Sequence, residues 1–238
     1  MSRRRNLVVG WTLAVVTIAV FANLGLWQSR RAVEKQAMLD AAAKVMERRT
    51  TAALVVADDP ARARDYDWAA GTRPFHARDG LLLDNQVREG RAGVRAYRIF
   101  VPDHGAPLLV DLSWLPLSGQ RVLPQVPRPD GAMELRGLLA PPPSTGLALG
   151  PALGRQSEAW LMTRVDLAAI AHETGLSVPL APRVLRLDPA LKLGYERDLE
   201  LLPNTLPPEQ HRGYAVQWFA LALAVLVTAL LLTFRPFF

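Results

Sequence analysis

The sequence contains no cysteine. That excludes disulfides, thiolate metal sites, thiol redox chemistry and covalent attachment of a c-type haem. Acidic residues are missing from both ends. Residues 1–26 and 214–238 hold no Asp or Glu, and their only charges are Arg3, Arg4, Arg5 and Arg235. The rest of the chain carries 24 of the 28 Lys and Arg against 22 Asp and Glu, so the formal net charge of +6 comes mostly from the ends. No basic domain is left to track phosphates, which excludes a nucleic-acid partner. Catalytic signatures are also missing: there is no G-x-S-x-G, no H-E-x-x-H and no Walker loop. The methionines are scattered, so no thioether copper motif exists.

The isolated candidates for chemistry read as structural. Ser113 sits inside an apolar run, as a packed strand residue does. His172 stands at the end of a short helix, where it suits the dipole. His76 and His104 lie in turn-rich stretches. Asp84 and Asp111 read as turn or pairing residues at strand ends and receive no acid–base role.

What the sequence does have is length without charge. Residues 7–26 and 214–234 are uncharged runs, the second with Gln217 as its one strongly polar side chain. At about 1.5 Å per residue each spans roughly 30 Å, the hydrocarbon thickness. No Ala-x-Ala cleavage site follows the first run, which reads as an uncleaved anchor. The Ser2-Arg3-Arg4-Arg5-Asn6-Leu7 string resembles a twin-arginine export signal, but Asn6 stands where an aromatic is usual, and a positive flank is the simpler reading.

Two spans give residues 1–6 and 235–238 on one side of the membrane and residues 27–213 on the other. The terminal arginines put the ends in the cytoplasm and the central domain in the periplasm of a bacterial inner membrane, as a multi-pass protein. Trp27 and Tyr214 mark the matching edges of the two spans.

A stalk helix is expected over about residues 28–49, with Val33, Ala37, Ala41 and Val45 as its apolar stripe and Asp58-Asp59-Pro60 as its breaker. Beyond it, strands are expected at residues 81–85, 94–101, 108–114, 133–139, 160–165 and 184–187, the second and third forming a hairpin. Residues 88–93 read as a loop, and 124–129 and 141–151 hold too much proline for central strands. Asp166 caps a short helix over residues 167–173 that Gly175 stops. The fold class is therefore two transmembrane α-helices flanking an α+β, mainly antiparallel-β extramembrane domain.

Polar chemistry meets the membrane at the inner ends of the spans. His211, Tyr214 and Trp218 share one face if the second helix reaches back to His211. Gly25, beside Trp27, allows a close helix–helix approach.

These residues carry a resemblance. Gly25-Leu26-Trp27-Gln28-Ser29-Arg30-Arg31-Ala32-Val33-Glu34-Lys35 resembles the G-x-W-Q-x-x-R-x-x-x-K signature of the Surfeit-locus-one family of cytochrome oxidase assembly proteins. Leu83-Asp84-Asn85-Gln86, residues 93–102 and residues 108–114 are similar to its central strands. Arg136-Gly137-Leu138-Leu139-Ala140-Pro141 resembles its G-x-L-x-x-P stretch, and His211-Arg212-Gly213-Tyr214-Ala215-Val216-Gln217-Trp218 its H-x-x-Y-A-x-x-W entry into the last helix. The chain departs from the pattern at Asp111-Leu112-Ser113-Trp114, where the family has Asn-Arg-Gly-Trp, and at Asn85-Gln86, where it has Asn-Arg.

The resemblance implies a non-enzymatic assembly factor for a haem–copper terminal oxidase that binds or delivers haem a to the catalytic subunit. Its partners would be that subunit, haem a synthase and membrane lipid. The site residues implied are His211 as iron ligand, Tyr214, Trp218 and Trp27 around the macrocycle, and Arg30 and Arg212 toward the propionates. The alternative is a membrane-tethered periplasmic scaffold that binds oxidase subunits and no cofactor. Topology is the first test: a reporter active only in the periplasm works when fused near residue 120 and fails at residue 238. Activity at both positions would overturn the two-span reading.

Overall fold

The computed structural model describes residues 3–77, 80–119, 122–144, 150–156, 159–202 and 205–234. The sequence-assigned end at residues 235–238, and parts of the 1–6 and 141–151 segments, lie outside the described residues. The chain divides into two compact units, residues 1–40 with 205–238 and residues 41–204.

The first unit is a pair of helices. Helix α1 (Arg3–Arg48) and helix α3 (Pro208–Phe234) are each long and apolar enough to cross a membrane. Helix α1 runs unbroken from the first apolar run into the expected stalk because no proline interrupts it. Its end differs from the expectation. Arg48 is the last helical residue, Arg49 turns into the left-handed region at φ 46°, and a strand and a 3-10 turn intervene before Asp58. Asp58-Asp59-Pro60 therefore breaks nothing. The expected stripe also differs: Val33, Ala37 and Ala41 are exposed, whereas Gln28, Ala32, Lys35 and Ala42 are buried. Helix α3 begins earlier than the uncharged run because Pro208 suits a first helical position, with Pro207 O accepting from Gln210 N and His211 N at 3.2 and 3.4 Å.

Among the described residues the second unit is built on one sheet of nine strands: β1 (Thr51–Ala53), β2 (Asp67–Arg73), β3 (Leu81–Arg88), β4 (Arg91–Phe100), β5 (Leu108–Pro116), β6 (Met133–Ala140), β7 (Leu153–Gln156), β8 (Ala159–Met162) and β9 (Val184–Leu187). Their order is β1-β2-β6-β9-β5-β4-β3-β8-β7. Antiparallel pairs dominate, with parallel pairing at β1/β2, β3/β8 and β5/β9. The expected hairpin is β4–β5, with Phe100 opposite Leu108. The expected loop at 88–93 is instead a two-residue turn. Glu89 and Gly90 both have positive φ, 50° and 75°, as a tight hairpin between right-twisted strands requires. Strand β8 ends at Met162 rather than 165, and β1, β2 and β7 add strands to those expected.

Alternation gives the sheet two covered faces. Leu82, Val94, Ala96, Phe100, Val110 and Leu185 meet Leu54, Phe75 and Val126 on one side. Leu81, Leu83, Tyr97, Ile99, Leu109 and Val184 meet Ile170 and Ala171 of helix α2 (Leu167–Glu173) on the other. Asp166 caps α2 by accepting from Ala169 N at 3.1 Å, and Gly175 follows with φ 67°. His172 and Glu173, adjacent at its end, meet each other at 3.2 Å. Each buried leucine here contributes about 1.5–3 kcal/mol. Ala42, Val45 and Met46, from the end of α1, pack on Trp68, Leu138 and Ala140.

Charge is buried at the centre of the sheet. Asp111, expected at a strand end, lies inside β5, 3.4 Å from Arg95 Nε and 3.7 Å from Arg186 Nε. It also accepts from Ser113 N at 2.8 Å. Ser113 is buried, with φ 82°, where the β4–β5 register shifts. Burial, with the Asp111 charge beside it, pushes the Tyr97 phenol far up. Breaking such a buried pair costs about 3–5 kcal/mol because a charge is stranded.

Two carboxylates at the rim of this unit set its response to acid. Burial alone would raise Asp188, but Ala190 N at 3.0 Å, Arg136 Nε at 2.9 Å and nearby Arg49 hold it below the usual carboxylate range. Asp198 is likewise raised by burial but brought lower overall by Arg88 and the Glu200 N–H. A depressed folded pKa contributes stability above the unfolded value of about 3.9 and loses it as pH falls through the folded value. Unfolding of the full chain, followed by tryptophan fluorescence in detergent, is expected to be flat above about pH 5 and to weaken below about pH 4. Asp188→Asn should lower stability at neutral pH and flatten the acid slope; an unchanged slope would remove Asp188 from this role.

Candidate functional site

The inner ends of α1 and α3 come together in the first unit. A Cβ on Gly25 would lie 2.8 Å from the Phe219 ring, so the backbone of α1 approaches α3 as the small residue allows. Phe21 and Trp218 stack beside it, ring centroids 5.4 Å apart. Further along, Trp11 Nε1 donates to Thr233 Oγ1 at 3.0 Å.

His211 lies within α3 and is only 5% exposed. Its Nδ1 donates to Gln28 Oε1 at 2.6 Å. With the Gln28 amide oxygen facing it, Nδ1 carries a proton, and in the neutral ring Nε2 then keeps its lone pair. That Nε2 is buried and, among the described residues, has no hydrogen-bond partner. A buried acceptor without a partner forfeits about 1–3 kcal/mol, a cost that needs an account.

Helix geometry sorts the other expected site residues. His211, Ala215 and Ala222 form the buried face of α3, with Trp218 half-buried on the same side. Tyr214 flanks that face and is 42% exposed. Trp27 and Arg30 border a separate open groove along α1 with Val20 and Asn23, so they are not brought together with His211. Arg212 reaches Gln36 Oε1 at 3.5 Å, and Arg31 pairs with Glu34 at 3.2 Å. Two residues were not expected. Gln28 and Lys35 are both buried on α1, and Lys35 Nζ donates to Leu206 O at 2.5 Å. Their signal was their spacing of seven residues, which puts both on one helical face.

Other concavities lie elsewhere. One of about 700 Å³ sits between the opposite ends of the helices, lined by Gly10, Trp11, Ala14 and Thr228 among others. Another, of about 340 Å³ on the sheet domain, is edged by Arg88, Arg95, Trp114 and Asp198. Among the described residues no cluster of His, Asp and Glu could hold a metal ion.

Two helices apolar and long enough to cross a membrane, with a sheet domain between them in sequence, define the class: a two-span membrane protein with an extramembrane α+β domain. A family model described as the SURF1 family matches residues 15–223, and the chain belongs to that family. The family is associated with cytochrome oxidase assembly and is one of assembly factors rather than of catalytic enzymes. Among proteins of curated function, none matches the chain closely enough to be counted a relative.

The hydrogen bond to Gln28 sets the histidine tautomer. In ¹⁵N spectra of the histidine-labelled protein, His211 should appear as the neutral Nδ1–H form. Gln28→Leu should release that preference and weaken the helix pair by about 1–3 kcal/mol. An Nε2–H signal in the parent protein would contradict the assignment.

Proposed function

We propose that this protein assists maturation of the haem–copper subunit of a terminal oxidase by holding or delivering haem a at the inner ends of its two helices. The observation that carries the reading is the orphaned Nε2 of His211. Metal-bound imidazoles characteristically donate their other ring N–H to a carbonyl or carboxylate, and His211 Nδ1 does so to Gln28. The residues present therefore fit an axial ligand to haem iron. Trp218 and Tyr214 offer aromatic surface on α3, and Arg212 supplies a cation for a propionate on the aqueous side; Trp27 and Arg30, on the separate groove of α1, would join them only once the helices rearrange. Haem a, when bound, supplies the iron and the apolar macrocycle that the oxidase needs. His211 holds its lone pair ready, and Gln28 fixes the ring.

In this reading the protein is a multi-pass protein of a bacterial inner membrane. Residues 7–26 and 214–234 cross it, residues 27–213 face the periplasm and the ends are cytoplasmic. Partners are the oxidase catalytic subunit, haem a synthase and lipid.

One observation favours the scaffold alternative. Nε2 is enclosed, so α1 and α3 must part at this end before it meets a ligand. Under the haem reading the same enclosure suits brief holding for transfer rather than storage. A Soret band separates the two. Protein purified from haem-a-producing cells should carry it, and His211→Ala should insert at the parental level, lose it and support less oxidase. His76→Ala, His104→Ala and His172→Ala should keep it. A full haem spectrum in His211→Ala, or none in the parent, would sink the ligand assignment.

A further inference from the structure

Lys35 is a charged side chain with an unusual setting. It is only 8% exposed, yet among the described residues no carboxylate lies within ion-pair distance of its ammonium. Among the described residues its hydrogen bond is to the Leu206 carbonyl at 2.5 Å, which uses one of three donors. Nearby acids are committed elsewhere: Glu34 to Arg31 at 3.2 Å, and Asp40 to Gln36 Nε2 at 2.9 Å. A buried ammonium answered only by a carbonyl dipole is poorly compensated, and an anion would compensate it. Arg30, Arg31 and Arg212 are exposed at the same end, and Arg31 already has its partner.

Position gives this charge its meaning. Lys35 follows Gln28 by seven residues, so the two share a face of α1 about 10 Å apart along its axis. Gln28 holds His211, and Lys35 holds the carbonyl five residues before it in sequence. An orphaned imidazole nitrogen and an under-compensated ammonium thus sit on one seam, apolar side first and aqueous side second. That is the order in which a porphyrin presents its metal and its carboxylates.

We propose that Lys35 is an anion-binding residue that takes a propionate carboxylate of the ligand held by His211, beside or in place of the Leu206 carbonyl. This rests on the haem reading above, and it moves the principal propionate contact from the exposed arginines to a buried lysine. The competing role is purely structural, a clamp on the segment leading into α3.

The experiment titrates the purified full-length chain in detergent with ferric haem and with haem dimethyl ester, following the Soret band. The parent should bind the free acid about 10- to 100-fold more tightly than the ester, as a charge-assisted contact allows. Lys35→Met should bind both forms alike while inserting normally, and Lys35→Arg should restore the preference. Equal binding of acid and ester by the parent overturns the proposal and leaves the His211 assignment standing. So does a preference that survives in Lys35→Met. Absence of a ligated spectrum with either form sinks the haem reading and this inference with it. If phosphatidylglycerol, and not the free propionates, distinguishes parent from Lys35→Met, the anion is a lipid headgroup and the proposal is overturned. Should Lys35→Met fail to insert, Lys35→Gln and the Lys35→Arg titration decide the same question.

Discussion

The contact between Gln28 and His211 is the constraint around which the helix pair is arranged. A side-chain hydrogen bond of 2.6 Å in a water-poor setting fixes two helices in rotation and in height at once. The rest of the seam follows from it. Gly25 lies about one turn from Gln28 and must be small for the Phe219 ring to fit, and Ala215 and Ala222 continue the close-packed face on α3. The price of this arrangement is one imidazole nitrogen without a partner.

The sheet domain solves a different problem with a related device. Asp111 gathers two guanidinium groups from strands on either side of β5, and Arg183, wholly buried, is tied to Asp67 at 2.6 Å and to the Val56 carbonyl. These pairs add little net stability compared with apolar residues of the same size. They do tie particular strands to particular neighbours, since a misplaced strand would bury a charge alone. In this chain Asp111 supplies the carboxylate, and Arg95 and Arg186 supply the cations from neighbouring strands.

How much of this was legible in the sequence depends on the range of the interaction. The long helices declared themselves as uncharged runs, and α2 by Asp166 and Gly175, because caps and hydrophobic length are local properties. Strands β4 and β5 showed by alternation and by the turn between them. Strand β2 did not: Asp67, Gly71 and Arg73 interrupt its pattern, and its place is set by pairing with β6. The stalk stripe was misread because Val33 looks like a core residue, whereas Lys35 and Gln28 do not; burial of polar side chains depends on a partner far away in sequence. His211 could be picked out as the histidine nearest a span. Its pairing with Gln28, 183 residues away, and the resulting orphan nitrogen were visible only in three dimensions.

The strand order carries a consequence for how the chain is made. Strand β9 is the last to leave the ribosome, yet it occupies the middle of the sheet, between β5 and β6. Without β9 the strand order leaves two halves, β1-β2-β6 and β5-β4-β3-β8-β7, each with an open inner edge. Arg186 comes with that strand, so the Asp111 carboxylate has Arg95 alone until β9 is in place. Unpaired inner edges are templates for wrong partners, including other nascent chains. The four-residue β9 acts as a keystone whose late arrival closes both edges in one step, and a chain truncated before it would expose them permanently.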